Sequence, residues 1–404
     1  MPDSTPSTRT PAPSRDAPTD IEGALHLALS SSSGTVVTDI IIHEGQAIRA
    51  KSARGTLPLH QLFPGIAPFA VTRAHIAAYL APLDGDHAAA AMTAGRETRI
   101  DPELARQHPL CFRIDGPGGA SLRCSLFLRN TGELALVMRV SPGTITPLSY
   151  LNIPQDLLTA FTESTSGFIV ITGPTGAGKS ETAMSVLDWH NAQHAGHILT
   201  LEDPVEKRLA SRRSIVTQRE VGVGAPSFAD GMRSALRMSP DILYASEIGD
   251  AETAMQAIQG GESGSLMIAT THGKTVTGAL RKILGHLGPG ADAMRQVLAG
   301  NLVAVVRQAL VPARSGERYL LVADVLYNTG RVTQYIDKGD WTGLEAAMRQ
   351  DHYLHTNEWF PMSTRLAELV EHGEIDVAEA MREASDIPTL RRRLSGISPF
   401  TTYR

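Results

Sequence analysis

Three groups of residues in this chain are spaced for phosphate chemistry. The first is Gly173-Pro174-Thr175-Gly176-Ala177-Gly178-Lys179-Ser180, followed directly by Glu181. It has the form G-x-x-x-x-G-K-[ST], in which glycines let successive backbone N–H groups converge on a phosphate. Lys179 is placed to reach β- and γ-phosphates, and the Ser180 hydroxyl to ligate magnesium. The second group is acidic. Glu202, Asp203 and Glu206 surround a proline in Thr200-Leu-Glu-Asp-Pro-Val-Glu206, and Glu247 follows the run Ile242-Leu-Tyr-Ala-Ser246. Carboxylates at such positions suit magnesium or its water, because that ion keeps several waters and takes few protein ligands. For the first three, an acidic strand exit in solvent fits equally well. The third group is His272, after Ala269-Thr-Thr271, with Arg219, Arg233 and Arg237. A histidine at a strand exit either senses a γ-phosphate or caps the strand. Arg233 and Arg237 are four apart and share a helical face. They are either surface residues or arginines that reach a neighbour's nucleotide, an arrangement worth ~10³–10⁵ in rate.

The elements that must hold these residues are legible around them. Phe168 to Ile171 reads as a buried strand, and Glu181 to His190 as a helix with Ala183, Val186 and Leu187 on one face. Strand, loop and helix start are the context the glycine motif requires, so the stretch implies a bound nucleoside triphosphate. Strands and helices then alternate: Phe168–Thr172, His197–Leu201, Asp241–Ala245 and Ser265–Thr271, extended by Leu302–Leu310 and Tyr319–Leu326. That alternation predicts a parallel sheet whose ligand crevice lies at the strand C-termini. Asp241 precedes its strand, at the far end, and takes a structural role.

Ahead of this core, residues 20–140 form a small α+β domain. Ile21–Leu29 and Thr72–Leu80 read as helices, and Thr38–His43 and Gln46–Ala50 flank a Glu44-Gly45 turn. Leu110–Ile114, Ala120–Arg129 and Leu134–Val140 complete an antiparallel sheet. Residues 1–19, rich in Pro, Ser and Thr, read as disordered. Residues 141–154 read as a linker, 155–330 as the nucleotide core and 331–404 as a helical segment.

Bulk properties narrow the classes. The 404 residues are 42% hydrophobic and 20% charged, with a formal net charge of −5, which argues against a chain that coats nucleic acid. No run approaches the ~18 apolar residues of a membrane span, and the start lacks a secretory signal. These features point to the cytoplasm, with membrane contact only through a partner. Cys111 and Cys124 are too few for a disulfide framework or a four-cysteine zinc site, and read as core packing on strands.

Taken in order, these motifs resemble the PilT-like ATPases of the type II/type IV secretion superfamily. The stretches that carry the resemblance are 173–180, 200–206, 218–222, 227–243, 246–253, 261–264, 269–272 and 301–312, with Thr38-Asp-Ile-Ile-Ile-His43 near the start. It implies a RecA-like domain with a parallel-stranded core, preceded by a smaller PAS-like α+β domain, assembled as a homo-hexameric ring. It also implies ATP and Mg²⁺ as ligands, and docking on an inner-membrane platform or secretion-complex protein. By the resemblance, Lys179 and Ser180 hold phosphate and magnesium, and Glu202 belongs to the acidic box. Glu247 is the catalytic glutamate, His272 belongs to the histidine box, and Arg219, Arg233 and Arg237 to the arginine region. Gly249 stands where the family carries an arginine, and Gly273 where it carries a threonine. The Ala-Ile-Arg segment of the retraction ATPases is absent from 330–339, and so is the zinc module of the assembly ATPases. This leaves room for the DotB/TraJ-like branch. A ring that binds nucleotide with little hydrolysis, or less readily a nucleic-acid translocase, are the other readings.

Overall fold

The computed structural model describes residues 18–30, 36–81, 105, 109–141, 143–151, 161–316, 318–349 and 359–395. The expected disorder of residues 1–17 and the end of the 141–154 linker lie outside them. The chain divides into two compact units between Thr144 and Ile145.

The first unit is an antiparallel sheet with helices against it. In chain order its elements are α1 (Ile21–Ser30), β1 (Val37–His43), β2 (Arg49–Ser52), β3 (Gly55–Pro58), α2 (Leu59–Leu62), α3 (Arg73–Leu80), β4 (Leu110–Asp115), β5 (Ser121–Leu128) and β6 (Leu134–Ser141). The strands run in the order β3-β2-β1-β6-β5-β4. Period-two alternation sends Leu122, Cys124 and Leu126 of β5 inward, where they meet Ile40, Ile42, Leu136, Met138 and the Ile21, Leu25 face of α1. Each such side chain contributes about 1.5–3 kcal/mol on burial. Thr72 caps α3, accepting from His75 N at 3.3 Å. Cys124 is buried as expected. Cys111 is exposed, because it falls on the outward phase of edge strand β4.

The second unit holds the larger sheet. Its elements are β7 (Gly167–Thr172), α4 (Lys179–Gln193), β8 (His197–Glu202), β9 (Ile215–Glu220), α5 (Phe228–Ala235), β10 (Ile242–Ala245), α6 (Ala251–Glu262), β11 (Leu266–Thr271), α7 (Val276–His286) and α8 (Ala291–Asn301). There follow β12 (Leu302–Pro312), β13 (Tyr319–Tyr327), α9 (Gly330–Lys338), α10 (Trp341–Arg349), β14 (Trp359–Phe360), α11 (Met362–Glu371), α12 (Val377–Glu383) and α13 (Ile387–Ser395). The order is β14-β13-β12-β7-β11-β10-β8-β9. Strands β12 through β9 in that order are all parallel, while β13 and β14 are antiparallel additions.

Both faces of this sheet are covered, so its central strands are largely apolar, with polar residues gathered toward their C-terminal ends. On one face Ile169, Ile171, Ile198, Ile242, Tyr244 and Ile268 pack against Ala183, Met184 and Leu187 of α4. On the other, Phe168, Val170, Leu199, Leu201, Leu243 and Ala245 meet α5 to α8 through Met232, Ala257, Leu280 and Leu298. Ile145, Leu148 and Leu151 pack into the α4-side core. Strand β9 was not evident from the sequence: it is a sheet-edge strand whose residues are all partly or fully exposed.

Candidate active site

The phosphate loop leaves the C-terminal end of β7 and feeds α4. Gly173, Gly176 and Gly178 have φ of 152°, 81° and 80°, values that favour glycine. At Gly173 space is decisive as well, since a Cβ would lie 2.4 Å from the Gln308 carbonyl oxygen. Gln308, on the neighbouring strand β12, donates from Nε2 to the Ala177 carbonyl at 2.7 Å and is fully buried. Gly178 is the N-cap of α4 and supplies no side-chain acceptor, so the first-turn N–H groups keep their capacity for an anion. Pro174, Thr175 and Gly176 are exposed at the turn, and Ala177 is buried beneath it. Lys179 folds onto the loop, donating to the Gly173 and Pro174 carbonyls at 3.1 Å each. Burial holds its ammonium below the ordinary value, with Glu247 opposing and Lys282 reinforcing. Glu181 is engaged away from the loop: it accepts from Thr146 N at 3.0 Å and pairs with buried Lys207.

Strand β11 lies between β7 and β10, so the His272 and Glu247 exits open side by side next to the loop. The His272 Nε2 to Glu247 Oε1 distance is 3.7 Å, and both side chains are about half exposed, at 42% and 51%. Backbone bonds pin these exits: Ser246 N donates to Leu201 O and Ile248 N to Thr270 O, both at 2.9 Å. The Ser246 hydroxyl accepts from Asp203 N at 3.3 Å, and its carbonyl accepts from the Thr270 hydroxyl. Gly273 follows His272 where a Cβ would lie 2.8 Å from Thr172 Oγ1 and 3.2 Å from the Ala279 Cα of α7. A threonine does not fit there. At Gly249, by contrast, no atom would lie within 4 Å of a Cβ.

Glu202 ends β8 and is 3% exposed. Its Oε1 accepts from Thr200 Oγ1 at 2.7 Å and Gln218 Nε2 at 2.9 Å. Burial pushes its carboxyl up to about 7, against those two hydrogen bonds. Asp241 does take a structural place, accepting from His197 N at 2.7 Å at the opposite sheet end.

The arginines are not brought to the loop of their own chain. Arg219 sits on β9, four strand positions from β7, about 19 Å at the usual ~4.8 Å spacing. It donates to Gly224 O and, at 2.6 Å, to Ser234 Oγ. Arg233 is on α5, across the sheet from α4, and pairs with Asp230 and Glu252. Arg237 falls in a 3-10 turn after α5, not on that helix. The next residue, Met238, meets His197 at the start of β8, so Arg237 lies at the far end of the sheet.

Magnesium fits the residues at the loop. Ser180 and the strand-end carboxylates are hard oxygen donors. Thr172 Oγ1, Thr271 Oγ1 and Asp203 Oδ1, which end β7 and β11 and follow β8, are buried without a hydrogen-bond partner. Among the described residues no cluster of three or more metal-ligating side chains occurs, so the ion would be shared with phosphate oxygens. Sequence reasoning named neither Gln308 nor Gln218 as site residues. Both are neutral amides that act by hydrogen-bonding a loop carbonyl or a carboxylate, and nothing in their spacing signals that.

A glycine loop at the head of a parallel sheet, with carboxylate and histidine exits beside it, defines a RecA-like P-loop nucleotide-binding domain. The chain belongs to the type II/IV secretion system protein family, which matches residues 120–386. It is 32% identical over 292 residues to the type IV pilus ATPase PilU of Pseudomonas aeruginosa, covering 72% of this chain and 75% of that one. To the type IV pilus retraction ATPase PilT of the same organism it is 33% identical over 278 residues, covering 69% and 79%. Among solved structures, the pilus retraction motor PilT with bound ADP superposes with a TM-score of 0.71 at 25% identity, covering 93% of this chain and 100% of that one. The Legionella pneumophila ATPase DotB gives 0.73 at 21%, covering 91% and 97%, and supports the fold.

Proposed function

We propose that this chain hydrolyses ATP as one subunit of a homo-hexameric motor that drives a type IV secretion, conjugation or type IV pilus machine. The observation that carries this reading is the pairing of Glu247 with His272 beside Lys179, at the mouth of a loop built for phosphate. In that reading Lys179 and the α4 N-terminus neutralise the β- and γ-phosphates. Ser180 would hold magnesium, which when bound draws charge from the phosphate oxygens. Glu247 orients and deprotonates the attacking water. His272, within reach of Glu247, reports whether the γ-phosphate is present. Arg219, Arg233 and Arg237 lie too far from their own loop to act there, so any contribution to hydrolysis is to a neighbouring subunit's nucleotide. Docking is to an inner-membrane platform or secretion-complex protein. Among the described residues no helix is long and apolar enough to cross a membrane.

Lys179→Ala tests the chemistry: steady-state ATPase activity should fall to background, and unchanged activity overturns the mechanism. Size measurement with ATP at micromolar protein tests the ring, and a monomer alone refutes it. A second reading, a ring that binds nucleotide and scarcely hydrolyses it, draws on Gly249 and Gly273, which stand where the family carries an arginine and a threonine. Wild-type turnover equal to that of Glu247→Gln, with binding intact, favours it.

A further inference from the structure

Among the described residues Tyr244 is the largest fully buried side chain, and no motif accounts for its hydroxyl. It sits in β10 in register with Thr200 of β8 and Ile268 of β11. Ile242 and Tyr244 face α4, while Leu243 and Ala245 face the other side. Thr200 shares that face, and so does Glu202 two residues on, held by the Thr200 hydroxyl at 2.7 Å. The phenol therefore stands between the first turn of α4 and the end of β8. Its oxygen lies beside Ser180, with the Glu202 and Glu206 carboxylates as its charged neighbours. Its OH makes no hydrogen bond of acceptable geometry. A buried hydroxyl left unpaired carries a desolvation cost that a leucine at this position would avoid. Its ring packs in the apolar α4-side core with Ile242, Ile268 and Met184, and that packing alone does not call for the oxygen.

We infer that Tyr244 is a positioning residue for the metal-bound nucleotide, its hydroxyl completing a hydrogen bond with Ser180 when Ser180 turns toward magnesium. A serine that gives a lone pair to a cation must send its own proton elsewhere. The Tyr244 oxygen is a neutral acceptor beside it, on a ring packed against α4 and without a hydrogen-bond partner of its own. The phenol O–H is then free to donate toward the carboxylates at the end of β8. Ser180 is thereby held in one rotamer, and the acidic strand exit is linked to the loop through an uncharged bridge. The inference rests on the reading of Ser180 as a metal ligand.

The test is Tyr244→Phe, which removes the oxygen and keeps the ring. Binding of a fluorescent ADP analogue is titrated with excess EDTA and then across a Mg²⁺ series, alongside a thermal melt without ligand. The expected result is a Kd in EDTA equal to wild type, an unchanged or higher Tm, and a Mg²⁺ half-saturation raised about 3- to 10-fold, the size of one hydrogen bond. In a Ser180→Ala background the same substitution should have no effect on the Mg²⁺ series. Unchanged Mg²⁺ half-saturation in Tyr244→Phe overturns the inference, as does equal weakening with and without Mg²⁺, which marks a purely structural role. Wild-type protein whose nucleotide affinity ignores Mg²⁺ overturns the reading of Ser180, and the inference with it.

Discussion

The buried carboxyl of Glu202 should make this protein lose stability as the solution becomes more alkaline, and Glu202→Gln should abolish the effect. Burial lifts the folded-state value to about 7 from an ordinary 4.5. Between those values the folded chain holds a proton that the unfolded chain has released. Stability therefore falls as pH rises through about 4.5 to 7, and the cost is fully present above it. The rise from 4.5 to about 7, at ~1.4 kcal/mol per tenfold change in proton affinity, gives about 3.5 kcal/mol. The glutamine keeps the carbonyl oxygen that accepts from Thr200 and Gln218 and cannot ionise. For a unit of this size each kcal/mol moves Tm by ~2–4 °C. Melts without nucleotide should show the variant and wild type close together near pH 5 and the variant higher by roughly 7–14 °C at pH 8. A Tm difference that stays flat across this range refutes the reasoning, and one that shrinks with rising pH reverses its sign.

Two further outcomes follow from particular contacts. Gln308→Ala leaves the Ala177 carbonyl without its buried donor, at a cost of about 1–3 kcal/mol. It should lower Tm and weaken ADP binding together, read by a melt and a fluorescence titration. Cys111 should react with a thiol reagent within the mixing time, whereas Cys124, buried and with its thiol pushed up by burial, should react only on unfolding. Two equally fast thiols in native protein would contradict the inward phase of β5.

The nucleotide strands were legible because each is a short apolar run ending in a residue of distinct chemistry. The strands expected to start at Phe168, His197, Asp241 and Ser265 each differ from the structure by one residue at one end, within ordinary boundary scatter. Glu247 and His272 could be named because strand C-termini face the crevice. Their closeness could not, since it depends on β11 being inserted between β7 and β10, an order that pattern does not encode. The helical spacing of Arg233 and Arg237 was misleading in detail, because the α-helix ends at Ala235 and a 3-10 turn carries Arg237 to the far sheet end. Strand β14 is two residues long and escapes any periodicity.

The glycine after His272 has a mechanical meaning. Gly273 runs between the end of β7 and α7 with no side chain of its own: a Cβ there would lie 2.8 Å from the Thr172 hydroxyl and 3.2 Å from both Cα and Cβ of Ala279. Close-packed groups of this kind have little compressibility. A displacement of the strand end that carries the phosphate loop is therefore passed to the histidine turn instead of being taken up between them. A side chain at this position would wedge the strand end and the helix apart; the glycine lets them close on the turn as on a rigid shim.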